Sequence, residues 1–237
     1  MRNALAVFKF LTLGGRFTTA PFVPERVGKG ASYFPFVGLI LGVILALLNR
    51  VLEPRLESEI LAVLLVTILI VLTRATHLDG TRKVFDSWLI GTNPTNEPGA
   101  SGGTYGFLAV MLLVLFKIRS VEVIGELRNV SLLLTPALSR WVVVIFLYSA
   151  TSMTDDLAQR IADNVRAWHL IFTTVVTLGL TVFLVGVTGL WIGLCLSLLA
   201  LVFRSSLHRF DSDLTCNHFG VLVELSEAVT FVLFASL

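Results

Sequence analysis

The sequence predicts an all-α fold, a polytopic membrane helical bundle with about seven transmembrane helices. Apolar residues make up 55% of the 237 residues and charged residues only 14%, whereas charged residues reach about 25% in soluble domains. A helix that crosses the hydrocarbon layer needs about 20 largely apolar residues, and several uncharged runs approach that length. These observations argue against a soluble globular enzyme and against a disordered or fibrous chain.

The predicted spans follow from the apolar runs in chain order. The runs are residues 31–49, 60–73, 98–116, 129–154, 167–203 and 220–237. The fifth run would be about 55 Å long as a single helix, so Gly186 and Gly189 predict a turn between two spans. We interpret residues 1–237 as one domain, in which residues 1–30 form a cytoplasmic, interfacial segment.

The distribution of Lys and Arg predicts the orientation of these spans. Of the 17 such residues outside the predicted spans, 12 lie on the side of the N-terminus, and the five on the other side include Lys117. Cytoplasmic loops carry the excess of positive charge, so the N-terminus is predicted to be cytoplasmic. Residues 77–101 and 204–220, the two most polar stretches with unusual residue combinations, then share the cytoplasmic face.

Charge and cysteine content narrow the classes of partner. A formal net charge of +2 without a basic run argues against nucleic-acid binding. Cys195 and Cys216 make no disulfide framework, and the four histidines form no HxxxH pair, so no zinc site is expected.

The first candidate site lies around His77 and the residues that follow it. Asp79, Lys83 and Asp86 are spaced i, i+4, i+7, which places them on one face if a helix continues past Gly80. Two carboxylates on one face can hold Mg²⁺ when water and substrate phosphates supply the other oxygens. The alternative is a salt-bridge ladder at a helix end, in which the lysine neutralises both carboxylates.

The second candidate site is the start of the last span. Glu224 and Glu227 are spaced i, i+3, and acidic residues near a helix N-terminus interact favourably with the helix dipole. Ionisable residues inside a span are costly and usually have a partner. A bound metal ion or Arg140 is the expected partner.

These segments, in this order, resemble the cobalamin synthase (adenosylcobinamide-GDP ribazoletransferase) family. The segments are residues 10–12 (FLT), 16–21 (RFTTAP), 33–42 (YFPFVGLILG), 77–80 (HLDG), 104–106 (TYG), 136–140 (PALSR) and 215–220 (TCNHFG), followed by Glu224 and Glu227. The resemblance covers almost the whole chain, and it identifies the protein as a divergent member.

The resemblance implies a Mg²⁺-assisted phosphotransferase-type enzyme in the prokaryotic cytoplasmic (inner) membrane. It would join adenosylcobinamide-GDP, a corrinoid nucleotide, to α-ribazole or its 5′-phosphate and release GMP. The residues implied in catalysis are Asp79, Asp86, Glu224 and Glu227, with Mg²⁺ on Asp79 and Asp86. The residues implied in substrate binding are His77, Lys83, Arg140 and Asn217.

The chain departs from the family pattern at several acidic positions. Lys83, Gly99 and Asn217 stand where the pattern has acidic residues. The alternative function is therefore a catalytically impaired or repurposed member that acts as a membrane binding or scaffold protein, and a transporter is a third class. The lipid bilayer is an expected partner, and assembly into a homo-oligomer is compatible with the sequence.

Overall fold

The computed structural model describes residues 2–12, 22–90, 103–149, 155–210 and 215–237, without the side chains of residues 90 and 208–210. Gly99 lies outside the described residues. Within them the chain forms eleven α-helices, one short 3-10 helix and no strand. The helices are α1 (Arg2–Leu11), α2 (Pro24–Lys29), the 3-10 helix (Ala31–Tyr33), α3 (Phe34–Leu52), α4 (Ser58–Leu72), α5 (Thr76–Ile90), α6 (Thr104–Val123), α7 (Arg128–Ser149), α8 (Asp156–Ala162), α9 (Ala167–Val185), α10 (Thr188–Phe210) and α11 (Cys216–Ala235).

Each of the seven predicted spans overlaps one helix, namely α3, α4, α6, α7, α9, α10 and α11. By length and composition, five helices of the described part are able to cross a membrane, and α4 together with α5 would add a sixth as a broken span. The predicted all-α membrane bundle is confirmed, and about seven spans is close to this number. The turn predicted between α9 and α10 is present, with Gly186 at φ 72°.

Two helices form the centre of the bundle. Of the apolar window of α7, 83% of the residues are buried, and of that of α11, 72%, against 22% for α9 and 33% for α10. The outer helices expose large apolar side chains, such as Phe183, which is 83% exposed, and Trp191, which is 64% exposed. An apolar surface of this kind suits contact with lipid. Most side chains on α7 and α11 are therefore shielded from both lipid and water.

Close packing of α3 against α7 depends on two glycines four residues apart. A Cβ added to Gly38 would lie 2.2 Å from the Pro136 carbonyl oxygen, and one added to Gly42 would lie 2.1 Å from the Leu133 carbonyl oxygen. Small residues at this spacing let membrane helices approach each other closely. The contact fixes the segment of α7 that carries Arg140.

A sharp turn separates α4 from α5, which meet at 87°. The backbone N–H of Ala75 donates to the Ile70 carbonyl and that of Arg74 to the Val71 carbonyl, both at 2.9 Å. This pair of bonds is the Schellman motif, which ends a helix with a left-handed residue. Arg74 and Ala75 have φ values of 60° and 52°. The turn places the start of α5 beside α11.

Asp155 connects the starts of two helices. One of its carboxylate oxygens accepts from the backbone N–H of Leu157 at 3.0 Å, and the other from that of Cys216 at 3.2 Å. Because the first N–H groups of a helix have no partner within the helix, this carboxylate caps α8 and α11 together. The start of α11 is thereby held in place next to the turn before α5.

Candidate functional site

The two polar motifs of the sequence lie against each other where α5 crosses α11. A Cβ added to Gly220 would lie 2.7 Å from the carbonyl oxygen of His77, and one added to Gly80 would lie 2.9 Å from that of Asn217. Cβ contacts shorter than 3.0 Å essentially never occur in proteins. Glycine at both positions therefore allows the crossing, and the two motifs form one structural unit.

A cavity of about 550 Å³ adjoins this crossing. Three of the predicted site residues line it, His77, Asp79 and Asn217, and its apolar wall includes Val143 and Val223. Pockets that bind small molecules have volumes in this range and combine an apolar lining with a few polar groups. The cavity is therefore the candidate substrate site.

The polar residues of the cavity differ in their exposure. The Asp79 side chain is 51% exposed, so its carboxylate is accessible to a molecule in the cavity. His77 is only 8% exposed, and its Nε2 has no hydrogen-bond partner among the described residues. A buried polar atom without a partner is costly.

The predicted face of α5 carries the carboxylates, each of them paired with a cation. Lys83 Nζ lies 2.6 Å from one oxygen of Asp79. The guanidinium of Arg82 lies 3.3 Å from the other oxygen of Asp79 and 3.5 Å from Asp86 Oδ2. The predicted helix past Gly80 is present, and the salt-bridge alternative is realised with Arg82, rather than Lys83, at Asp86.

Asp86 also holds the start of α6. It is 5% exposed, and its Oδ1 accepts a hydrogen bond of 2.8 Å from the backbone N–H of Gly106, in the first turn of that helix. An acidic group at this position satisfies an unpaired helix donor and interacts favourably with the helix dipole. Asp86 does not line the cavity. Its hydrogen bond to Gly106 links α5 to α6.

The two carboxylates predicted to hold Mg²⁺ do not fit that role as they are arranged. Each oxygen of Asp79 and Asp86 has a donor within 3.5 Å, from Arg82, Lys83 or Gly106. Mg²⁺ needs nearly ideal octahedral oxygen coordination at about 2.0–2.1 Å. Within the part of the chain that the structure describes, no three His, Cys, Asp or Glu residues form a metal-binding group.

A buried cluster of four charged residues lies between α6, α7 and α11. Lys117 Nζ donates to Glu224 Oε2 at 2.5 Å and to Glu227 Oε2 at 2.6 Å. Arg140 donates to the other oxygen of Glu227 and, at 2.8 Å, to the Ser139 hydroxyl. We call Lys117, Arg140, Glu224 and Glu227 the buried quartet; none of them is more than 3% exposed. Two positive and two negative charges balance inside the bundle.

Three members of the buried quartet lie on the same stretches of α7 and α11 as part of the cavity wall. Val223 and Val143 line the cavity, and they are the neighbour of Glu224 and the residue one helical turn from Arg140. Nε and Nη2 of Arg140 have no hydrogen-bond partner among the described residues. The ion pairs of the quartet join α6, α7 and α11, so they link the two central helices to α6. Removing one member of a buried charge pair is far more costly than replacing the whole pair.

Comparison with known proteins agrees with the motifs. A sequence model described as cobalamin-5-phosphate synthase matches residues 4–235. The chain belongs to the cobalamin-5-phosphate synthase family.

Curated relatives carry the corresponding enzyme name, adenosylcobinamide-GDP ribazoletransferase. The relative from Syntrophobacter fumaroxidans is 31% identical over 93% of this chain and 92% of its own length. The relative from Stutzerimonas stutzeri is 32% identical over 98% of this chain and 97% of its own. No solved structure matches the chain. The resemblance stated from the sequence is thereby confirmed.

In this member of the cobalamin-5-phosphate synthase family, the predicted site residues lie in or beside the cavity, in the buried quartet, or at the contact between α5 and α6. The structure brings His77, Asp79 and Asn217 to the cavity, and it places Glu224, Glu227 and Arg140 in the buried quartet, where Arg140 is the predicted partner of Glu227. Lys83 is 41% exposed on α5 beside Asp79, and Asp86 holds α6.

Three residues of the site were missed by sequence reasoning. Lys117 is buried in α6 rather than lying in an outer loop, which corrects its use in predicting the orientation. The available signal that Lys117 is buried was its position directly after twelve residues without charge, residues 105–116. Asp155 caps α11, and Arg74 lines the cavity; no motif marked either of them.

Proposed function

We propose that the protein is a membrane transferase that joins adenosylcobinamide-GDP to α-ribazole, or to its 5′-phosphate, and releases GMP. The observation that carries this proposal is the crossing of α5 and α11, which brings the HLDG and TCNHFG segments to one cavity. Both segments resemble family motifs, and the relatives that match nearly the full chain are named for this activity.

The proposed reaction is a phosphoryl-group displacement. A ribose hydroxyl of the ribazole attacks the phosphorus attached to the cobinamide, an oxygen–phosphorus bond forms, and the diphosphate bond to GMP breaks. The hydroxyl proton must leave, and Asp79 is the half-exposed carboxylate that lines the cavity. We assign proton acceptance to Asp79 and orientation of the substrates to His77 and Asn217. Positioning the reacting groups contributes much of the rate in such transfers.

The remaining predicted residues act at one remove from the substrates in this proposal. Glu224, Glu227 and Arg140 hold the cavity wall through the buried quartet, and Asp86 holds α6. Lys83 pairs with Asp79, which lines the cavity, and in this proposal its ammonium group neutralises charge as phosphate enters.

Dependence on Mg²⁺ stays a prediction of the family resemblance. We expect the purified protein to bind Mg²⁺ weakly, because Lys83 and Arg82 compete for the oxygens of Asp79. Lys83→Met removes one competitor and should tighten Mg²⁺ binding measured by calorimetry without substrate. Equal affinity of the parent and the variant would contradict this expectation.

Asp79→Asn tests the assignment of the proton acceptor. An amide cannot accept the proton, and a general acid–base group typically contributes 10²–10⁴-fold to the rate, so kcat should fall by about that factor. The assay follows GMP release and corrinoid product together, with purified protein in lipid nanodiscs.

Asp156→Asn is the matched control, because the exposed Asp156 pairs with Arg160 at i, i+4 on α8 as Asp79 does with Lys83 on α5. Unchanged kcat in both variants would refute the role of Asp79. Folded parent protein that forms no product from both substrates would refute the transferase proposal and favour the scaffold alternative.

We propose that the active face is cytoplasmic, in the prokaryotic inner membrane. The excess of Lys and Arg on the N-terminal side supports this orientation after Lys117 is removed from the outer side. Residues 1–30 are then interfacial, within a single domain. Assembly into a homo-oligomer stays a prediction.

A further inference from the structure

Arg74 occupies a backbone position that normally belongs to glycine. It is the left-handed residue of the Schellman motif after α4, with φ 60°. A left-handed conformation is unfavourable for residues with a Cβ atom, and glycine is the usual residue there. Residues held in such conformations cluster at functional sites.

The side chain of Arg74 is available to a ligand. It is exposed and lines the cavity, and among the described residues it forms no ion pair, whereas Arg82 and Lys83 on the neighbouring helix both pair with Asp79. An arginine at the cytoplasmic end of a span also adds positive charge that favours the predicted orientation. That effect does not depend on a left-handed backbone and is served equally by nearby positions.

We propose that Arg74 binds the diphosphate of the corrinoid nucleotide, an inference that rests on the proposed function. A guanidinium donates two parallel hydrogen bonds to phosphate oxygens, and its constant charge suits a doubly ionised diphosphate. Arg74 lies on the same cavity as Asp79, the proposed proton acceptor. A diphosphate held between them presents its phosphorus beside the carboxylate that takes the proton.

Arg74→Gly separates a role in binding from a role in folding. The variant relieves the left-handed backbone, so its thermal unfolding midpoint should stay level or rise, while KM for adenosylcobinamide-GDP rises about tenfold or more through loss of a charged hydrogen bond. KM for α-ribazole should stay within about twofold. Arg74→Lys should retain part of the affinity.

Ala75→Gly is the matched control, because Ala75 shares the left-handed conformation and the cavity wall but carries only a methyl group. It should show the same stability change and, because no hydrogen-bonding group is lost, a KM for adenosylcobinamide-GDP several-fold below that of Arg74→Gly. Equal KM in the two glycine variants, with an active parent, would overturn the inference and leave the proposed function standing.

Calorimetry with inorganic pyrophosphate tests the anion site without catalysis. Binding by the parent and by Ala75→Gly, lost in Arg74→Gly, supports the inference even where the transfer assay fails. Equal pyrophosphate binding by the parent and Arg74→Gly, or none by the parent, overturns it.

Discussion

Replacing Lys117 by Met is expected to destabilise the protein by about 3–5 kcal/mol, the range for removing one partner of a buried ion pair. Glu224 has its ion pair only with Lys117 among the described residues, whereas Glu227 keeps Arg140. The variant therefore leaves one buried carboxylate without a cation. Denaturant titration of the purified protein in detergent, followed by circular dichroism, measures the loss.

A second substitution distinguishes the charge effect from a packing effect. In Lys117→Met combined with Glu224→Leu, the unpaired carboxylate is gone, and Glu227 still has Arg140, so part of the lost stability should return. A control on the same helix is Arg119→Met, because Arg119 is 71% exposed and its ion pair with Glu122 lies at the surface. Surface pairs contribute about 0–1 kcal/mol. A double variant no more stable than Lys117→Met would show that packing, rather than charge, dominates.

Gly42→Ala is expected to prevent α3 and α7 from packing as they do in this structure. The added methyl carbon would lie 2.1 Å from the carbonyl oxygen of Leu133, a backbone atom that cannot rotate away. Overpacking typically costs about 1–3 kcal/mol and occasionally more, and here two whole helices must separate. We expect a large loss of folded, monodisperse protein in size-exclusion chromatography, together with a lower unfolding midpoint.

The same substitution at Gly179 is its control. Gly179 lies within α9, and outside that helix's own backbone no atom of the described residues lies within 4 Å of an added Cβ. Because alanine is a better helix former than glycine by about 0.5–1 kcal/mol, Gly179→Ala should leave the yield of folded protein unchanged or higher. Similar losses in both variants would contradict the assignment of Gly42 to a close helix contact.

The helices were predictable because apolar runs of membrane length have few alternative structures. In lipid every backbone polar group must be satisfied internally, so each predicted run became a helix. The end of α4 was less predictable, since Arg74 stands where a Schellman motif usually has glycine. A sequence pattern based on glycine cannot find that turn.

The candidate site was only partly predictable, because its contacts join residues far apart in the chain. The spacing of Asp79, Lys83 and Asp86 was sufficient to place them on one helix face. Spacing alone could not show that Asp86 contacts Gly106, or that Lys117 lies against Glu224 and Glu227 across 107 and 110 residues. Such contacts depend on which helix faces meet, and a lysine near a helix end looks like a surface residue.

The charge balance of the buried quartet has an electrical consequence. A transmembrane voltage of 100 mV does about 2.3 kcal/mol of work on one elementary charge moved across the bilayer. In the ionised state that their ion pairs favour, Lys117, Arg140, Glu224 and Glu227 sum to zero and are joined by direct contacts. The field therefore exerts no net force on the group as a whole, and the ion pairs oppose the opposite pulls on the cations of α6 and α7 and on the carboxylates of α11.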